Sequence, residues 1–463
     1  MPPATTGFDT GDSAFCAGKK GEPTMSDEHY FPRWRLTRAR TVMPDETLPT
    51  GQTIILGLQH VVAMFGSTVL APLLMGFDPN AAIFFSGVAT LVFFVVTGGR
   101  LPSYLGSSFA FIAVVAAATG HAVASGPNLN VAPALGGIIV CGALYALIGL
   151  IVQRAGHQWV ERLMPPVVTG AIIAAIGLNL APVAVKSVSA SAFDTWIGLF
   201  TVIAVGLVAV YTGGMARRLP ILIGGAIAYI AYLVFANGLG FGKPVDFSGI
   251  GNAAWIGWPH FTAPVFQAEA IWLIAPVAVI LVAENLGHIK AISVMTGRNL
   301  DPLIGRAFMG DGIATIISGF GGGTGVTTYA ENMGVMAVTR VYSTLLFVAA
   351  GIVAILLGFS PKFGALIQTI PGPVLGGLSI VVFGLITATA GRIWVENNVD
   401  FASSRNLITV GTALVLGAGD LALKFGGFTL GGIGTATFGA IILYHLLAGR
   451  AGAEEENRHA DRH

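Results

Sequence analysis

The sequence predicts an all-α polytopic membrane protein, and three observations predict it. Hydrophobic residues make up 54% of the 463 and charged residues only 10%, against about 25% charged in soluble domains. Glycine occurs 63 times, and small residues let membrane helices approach one another closely. Apolar runs recur along the chain, with a mean hydropathy of +0.77. A soluble fold would have to hide all of these runs in one core.

In chain order, residues 1–50 are polar, contain proline and turn basic towards their end (Arg33, Arg35, Arg38, Arg40). They hold no apolar stretch that would serve as a signal peptide and are expected to form a disordered cytoplasmic tail. Met25 opens a second start, Met25-Ser26-Asp27-Glu28, so the first 24 residues read either as tail or as an over-extended reading frame. About fourteen apolar segments follow, at 53–75, 81–98, 107–119, 133–153, 165–184, 195–212, 219–236, 271–290, 307–319, 326–338, 342–358, 372–390, 405–418 and 429–448. Several fall short of the ~20 residues that a helix needs to cross a bilayer. Segments 3 and 10 (107–119 and 326–338) are broken or flanked by Gly, Ser, Thr and Pro and are expected to contain short extended strands. Residues 449–463, with Glu454, Glu455 and Glu456, are expected to be a disordered cytoplasmic tail.

Short segments at matching positions in two halves are the best sequence pointer to a transporter site. Gln59-His60 answers Glu284 to His288 at an offset of 284 − 59 = 225, and Ser108 answers Thr328 at 328 − 108 = 220. Pro165-Pro166 answers Pro371 and Pro373 at 371 − 165 = 206. The chain therefore divides into a first repeat at 51–236, an extracytoplasmic connection at 237–270 and a second repeat at 271–448. Seven segments per repeat is an odd number, so the second repeat is inverted. With both termini cytoplasmic, the inward connections hold eleven basic residues (Arg100, Arg154, Arg162, Arg217, Arg218, Lys290, Arg298, Arg306, Arg340, Arg392, Arg405). The outward connections hold four (Lys186, Lys243, Lys362, Lys424), as the positive-inside rule requires.

The two cysteines, Cys16 and Cys141, form neither a disulfide framework nor a metal site. The Gly321-Gly322-Gly323-Thr324-Gly325 run lacks the lysine of a phosphate loop, and no zinc spacing or Gly-x-Ser-x-Gly elbow occurs. No cofactor, metal, nucleic-acid partner or enzyme activity is expected.

A carboxylate inside a bilayer costs several kcal/mol unless it is paired, hydrated or protonated. Glu331, in Tyr329-Ala330-Glu331-Asn332-Met333-Gly334, and Glu284, in Ala283-Glu284-Asn285-Leu286-Gly287-His288, are the first candidates for a site. Glu284 and His288 stand four residues apart and share a helix face. The pair reads either as a hydrogen bond that satisfies both groups or as a carboxylate presented to a ligand with His288 as partner or proton relay. Thr327-Thr328-Tyr329 and Ser107-Ser108-Phe109 read as two extended strips. Non-helical backbone at membrane depth is tolerated only where it lines a cavity or is buried in protein. Phe109 and Tyr329 stand beside the strips, where flat rings suit a planar ligand. Two acids, peptide edges and aromatics match a small, neutral, planar molecule with N–H donors and C=O acceptors, such as a nucleobase; an anion would be repelled. Asp311 is the third buried acid, read either as a cap on a broken helix end or as part of a proton path. His60 is expected to reach Glu331 or Asn332 or to be a satisfied interior histidine, with Gln59 a neutral partner in the same network.

These residues resemble a known family. Glu331 to Arg340, Gln59-His60-Val61-Val62-Ala63-Met64-Phe65-Gly66, Pro102-Ser103-Tyr104-Leu105-Gly106-Ser107-Ser108 and Ala283 to His288 are similar to the motifs of the nucleobase–ascorbate transporters (nucleobase:cation symporter-2). The resemblance spans roughly residues 50–448 and is strongest to the bacterial uracil permeases. It implies fourteen spans in two inverted repeats, a core domain of segments 1–4 and 8–11, and a gate domain of segments 5–7 and 12–14. It also implies proton-coupled uptake across the bacterial cytoplasmic membrane, often by a homodimer. Positions matching Glu284 and Glu331 bind the base, Phe109 and Tyr329 line it, and Ser108 and Ala330 supply backbone contacts. His288 matches a histidine of proton coupling, and His60 one that contacts the second acid. The best-known uracil carrier has Gly where this chain has Ala330. Purine carriers usually have Gln at the position of Glu331, so Glu favours a pyrimidine. The expected function is proton-coupled import of uracil or a related pyrimidine; the alternatives are a purine (xanthine or urate) symporter of the same fold and a channel.

Overall fold

The computed structural model describes residues 29–448 apart from 124–125, 215 and 426–427. The second start at Met25 and the tail at 449–463 lie outside the described residues. Residues 29–49, read from the sequence as part of a disordered tail, instead pack as a strap containing β1 (Arg35–Leu36) and β2 (Glu46–Thr47), which pair in parallel. The Trp34 indole N–H donates to Thr344 Oγ1 at 2.9 Å, and Val42 bridges to Val341. Such anchors act over some 300 residues of sequence and leave no local pattern.

The first half runs α1 (Thr50–Ala63), a π-helical turn at Gly66–Leu70, α2 (Ala71–Met75), α3 (Pro79–Val96), β3 (Leu105–Ser107), α4 (Phe111–Thr119), α5 (Val131–Ala155), α6 (Gln158–Leu163), α7 (Pro166–Val188), α8 (Ala192–Tyr211) and α9 (Pro220–Leu233). After α10 (Ser248–Asn252) come α11 (Ala268–Ile274), α12 (Val277–Thr296), α13 (Ile304–Gly321), β4 (Val326–Thr328), α14 (Ala330–Thr339) and α15 (Thr344–Gly358). The chain closes with α16 (Pro361–Gln368), α17 (Gly372–Glu396), α18 (Ser404–Ala418), the hairpin of β5 (Leu423–Phe425) and β6 (Phe428–Leu430), and α19 (Gly432–Leu446). Starts follow local chemistry. The Asp78 carboxylate accepts from the N–H groups of Asn80 and Ala81 at the head of α3, and Pro79 occupies the first turn, where its missing N–H costs nothing.

Eight helices among the described residues are long and apolar enough to cross a membrane. Two bent pairs bring the number to ten: α1 with the turn and α2, bent by 51°, and α15 with α16, bent by 81°. This is a multi-pass, predominantly helical membrane protein. The apolar segment expected at 271–290 extends in the structure over α11 and α12, and that at 429–448 opens with strand β6 before α19.

The helices gather in two bundles. One contains α1, α3, α5, α12, α13, α14 and α15; the other contains α7, α8, α9, α17, α18 and α19. The first is drawn together most tightly where α5 crosses α13. A Cβ on Gly142 would lie 2.8 Å from the Gly312 carbonyl oxygen, and one on Gly312 would lie 2.4 Å from the Ala146 nitrogen. One turn-pair further along, a Cβ on Gly149 would lie 2.5 Å from the Met309 nitrogen. Backbones this close require glycine, because membrane helices associate through packing rather than through exclusion of water.

Candidate functional site

Two short strands meet in the middle of the first bundle. β3 and β4 pair antiparallel with Leu105 opposite Thr328, Gly106 opposite Thr327 and Ser107 opposite Val326. The strands thus begin and end one or two residues earlier than the strips read from sequence, and Ser108, Phe109 and Tyr329 stand just beyond them. Their outer edges are satisfied by hydroxyls from the flanking helices. Thr90 of α3 accepts from Leu105 N–H at 3.0 Å and Ser86 donates to its carbonyl at 2.5 Å. On the other side Thr315 of α13 accepts from Val326 N–H and donates to its carbonyl, each at 3.2 Å, and Ser318 donates to Thr324 C=O at 2.6 Å. A two-stranded sheet at membrane depth is affordable only with every edge group satisfied in this way. These hydroxyls do not stand out in the sequence one by one. Their signal was the offset 315 − 90 = 225, which matches that of the polar pair in segments 1 and 8.

Each strand feeds a half-helix. α14 starts at Ala330 with no side chain capping its N-terminus, so Glu331 sits in the first turn, where the helix dipole favours a carboxylate. The first-turn N–H groups lack intrahelical partners by construction. Glu284 lies midway along α12, beside the Ser108 side chain, and close enough to Glu331 for the two charges to interact. Both acids are partly buried, each next to a fully buried asparagine, Asn285 and Asn332. Gly287 and Gly334, on the C-terminal sides of the two acids, face open space. The opposite side is closed by rings. Phe109 stands edge-on to Tyr329 at 5.9 Å and to Phe383 of α17 at 6.1 Å between centroids. Phe383 comes from the second bundle, so the acids lie at the seam between the two. Sequence reasoning missed Phe383, because one phenylalanine in an apolar helix carries no signal.

The polar residues around the acids sort into two networks. His60 of α1 and Asn332 of α14 share a hydrogen bond between Nδ1 and Oδ1, and the Asn332 amide reaches the Tyr104 carbonyl at 3.5 Å. His60 therefore pairs with Asn332, one of its two expected partners. The Gln59 amide has no partner among the described residues and does not join that network. The Tyr329 hydroxyl donates to the Ser107 carbonyl and ties the start of α14 to the end of β3.

The second network removes one of the two readings given for His288 and one of the two given for Asp311. His288 does not pair with Glu284; its Nδ1 contacts Thr328 Oγ1 at 2.9 Å. Thr328 in turn donates to Asn285 Oδ1 at 3.3 Å, so its hydroxyl accepts from a protonated His288 Nδ1. Asn285 Nδ2 donates to Asp311 Oδ2 at 2.7 Å and to the Tyr145 hydroxyl at 2.9 Å. Asp311 lies inside α13 and caps no helix end. It is the acceptor at the end of a relay of hydrogen bonds that joins α5, α12, α13 and β4.

The pairing of His60 with Asn332 makes a prediction. Asn332→Ala leaves a buried imidazole without its partner, which costs about 1–3 kcal/mol. The unfolding midpoint of the purified protein should fall by several degrees. In a cycle with His60→Phe the double variant should lose less than the sum of the two single losses. Additive losses would show that the two side chains do not interact.

The sequence profile of the permease family (Xan_ur_permease) matches residues 51–424. The chain belongs to this permease family. Among its relatives is RutG of Escherichia coli (strain K12), provisionally named a pyrimidine permease. The two are 64% identical over 422 residues, which cover 90% of this chain and 95% of RutG. A protein named uracil permease in Bacillus caldolyticus is 39% identical over 90% of this chain and 97% of its own length. The uracil permease of Escherichia coli (strain K12) is 38% identical, over 88% of this chain and 95% of its own length. Among solved structures, the transmembrane domain of the cyanobacterial bicarbonate transporter BicA superposes with a TM-score of 0.60 at 17% identity, covering 84% of this chain and 96% of that one. SLC26A9 superposes with a TM-score of 0.60 at 12% identity, covering 85% of this chain and 64% of that one. These two show the fold alone. A permease family accords with a site whose polar groups gather around strand ends and a half-helix.

Proposed function

We propose that this permease imports uracil, or a closely related pyrimidine base, together with protons. One observation carries the reading: in a chain similar to uracil permeases, Glu284 and Glu331 stand beside two strand ends at the seam between bundles. Uracil presents N–H donors beside C=O acceptors on a flat ring. The carboxylates accept from the N–H groups, and the uncapped first turn of α14 at Ala330 and Glu331 offers N–H donors to a carbonyl. Ser108, beside Glu284, lines the ring from the other repeat. Phe109 and Tyr329 bound the faces of the ring, and Phe383 bounds it from the second bundle. Ala330 acts through its backbone, so its methyl group trims the pocket without removing a contact.

Proton coupling follows from the cost of moving charge. Two neighbouring carboxylates cannot both carry a negative charge cheaply in a low-dielectric site, and binding a proton to one lowers that cost. His288, Asn332, His60 and Asp311 hold the acids' helices in register, and of these the two histidines and Asp311 are the groups able to exchange a proton with the acids. No resident cofactor takes part; the proton is the coupling ion.

In this reading the fourteen segments form two inverted repeats. The antiparallel β3–β4 pair, flanked by matching hydroxyls from α3 and α13, supports that symmetry. The first bundle is the core domain and the second the gate, and a Cβ on Gly287 or Gly334, beside the acids, would meet nothing within 4 Å. Both termini are cytoplasmic, the chain resides in the bacterial inner membrane, and a homodimer fits the family resemblance.

The test is uptake of radiolabelled uracil by cells that lack their own permease. Uptake should saturate, collapse with a protonophore and resist excess xanthine. Strong competition by xanthine would make this a purine carrier, and flux that never saturates would make it a channel.

A further inference from the structure

The strap at residues 29–49 has no part in the site, yet it is built with care. Its inner side is anchored to the ends of the first bundle's helices. The Tyr30 hydroxyl donates to the carbonyls of Val95 and Val96 at 2.8 and 2.9 Å, and Phe31 and Trp34 each stack on Phe94 with centroids 5.8 Å apart. Trp34 reaches the start of α15, and Asp45 pairs with Arg298 between α12 and α13 at 2.5 Å. Every anchor lies at one end of the bundle: the C-termini of α3, α12 and α14 and the N-termini of α13 and α15.

The outer side is different. Arg33, Arg35, Arg38 and Arg40 are exposed, and none forms an ion pair with an acid among the described residues. The two described acids of the strap are already engaged, Asp45 by Arg298 and Glu46 by the Met43 N–H at 2.9 Å. Leu36 stands among the arginines, 68% accessible, and Phe31, which stacks on Phe94 with one face, leaves 37% of its surface accessible beside them. Four uncompensated guanidinium groups with apolar residues between them, held rigidly beside the ends of spanning helices, fit one partner: a layer of anionic headgroups with acyl chains beneath it.

We propose that this strap is a lipid-binding surface that docks on anionic phospholipid headgroups of the inner leaflet and so steadies the core domain. The leaflet rests on the cytoplasmic placement of the N-terminus argued above; the lipid contact does not. Guanidinium groups hold phosphodiesters through paired N–H donors, and the attraction is screened at high salt.

The test is amide hydrogen exchange of residues 29–49 in the full chain, reconstituted in phosphatidylcholine alone or mixed with phosphatidylglycerol. Both leaflets carry the same lipid, so insertion direction does not affect the result. Exchange in the strap should slow by roughly tenfold with the anionic lipid and recover at high salt. Replacing all four arginines with glutamine should remove the difference, while four lysines should keep most of it. Equal exchange in both lipids for the unaltered chain would overturn the proposal. Trypsin added to intact spheroplasts reads the placement separately. An uncut strap supports the inner leaflet, and cleavage there overturns the cytoplasmic placement whatever the exchange shows.

Discussion

Uptake of uracil by the Glu331→Gln variant is expected to fall to the background of cells without a permease. The substitution keeps size and shape but exchanges one carboxylate oxygen for an NH2 group. Where the acid accepts from a ring N–H, the amide sets donor against donor. A hydrogen bond to a charged group contributes about 1.5–3 kcal/mol, or roughly a tenfold to hundredfold change in apparent affinity. The loss extends beyond binding, because the variant also removes one of the two acids that share the site's charge. The fold should survive, since Glu331 is only partly buried and glutamine keeps its size and shape. The experiment therefore pairs uptake with the amount of monodisperse protein in the membrane. Uptake at the level of the unaltered chain, at equal protein, would remove Glu331 from the site. The same substitution at Glu284 tests the partner acid.

The second large effect is structural. Gly312→Leu is expected to abolish monodisperse protein, because the new side chain would start 2.4 Å from the Ala146 backbone nitrogen and 2.6 Å from the Gly142 carbonyl oxygen. Overpacking usually costs about 1–3 kcal/mol when side chains can give way. Here the neighbours are backbone and cannot, so α5 and α13 must separate. That separation would also pull Asp311 from Asn285 and disturb the hydroxyls that satisfy β4. Gly206→Leu is the control, since a Cβ there meets nothing within 4 Å. Fluorescence-detected size-exclusion profiles of the two variants decide the matter. A normal profile for Gly312→Leu would mean that the crossing is looser than described.

Much of the candidate site was legible because transfer energies act residue by residue. Glu284, Glu331 and Asp311 stand out in any apolar sequence, since each would be expelled without a partner or a task. The interruptions at 107–119 and 326–338 were legible for a similar reason: Gly, Ser and Thr do not sustain a membrane helix, so the backbone must find other partners. Where local chemistry offered two partners, the choice was not legible. Spacing along a helix put His288 beside Glu284, whereas the fold turns His288 to Thr328, forty residues away. Asp311 had the composition of a cap, yet its surroundings place it in the middle of α13.

The amino-acid sequence by itself determined the membrane class, the broken segments, the two facing acids and the motifs of the family. Each of these rests on the free energy of single groups in hydrocarbon or on a short run of residues. Only the tertiary structure decided the β3–β4 register, the ring of Phe383 over Phe109, the relay from His288 to Asp311 and the anchoring of the strap at 29–49. The physical reason is that these contacts join residues tens to hundreds of positions apart. Their energy depends on distance and direction between groups that a linear pattern does not bring together.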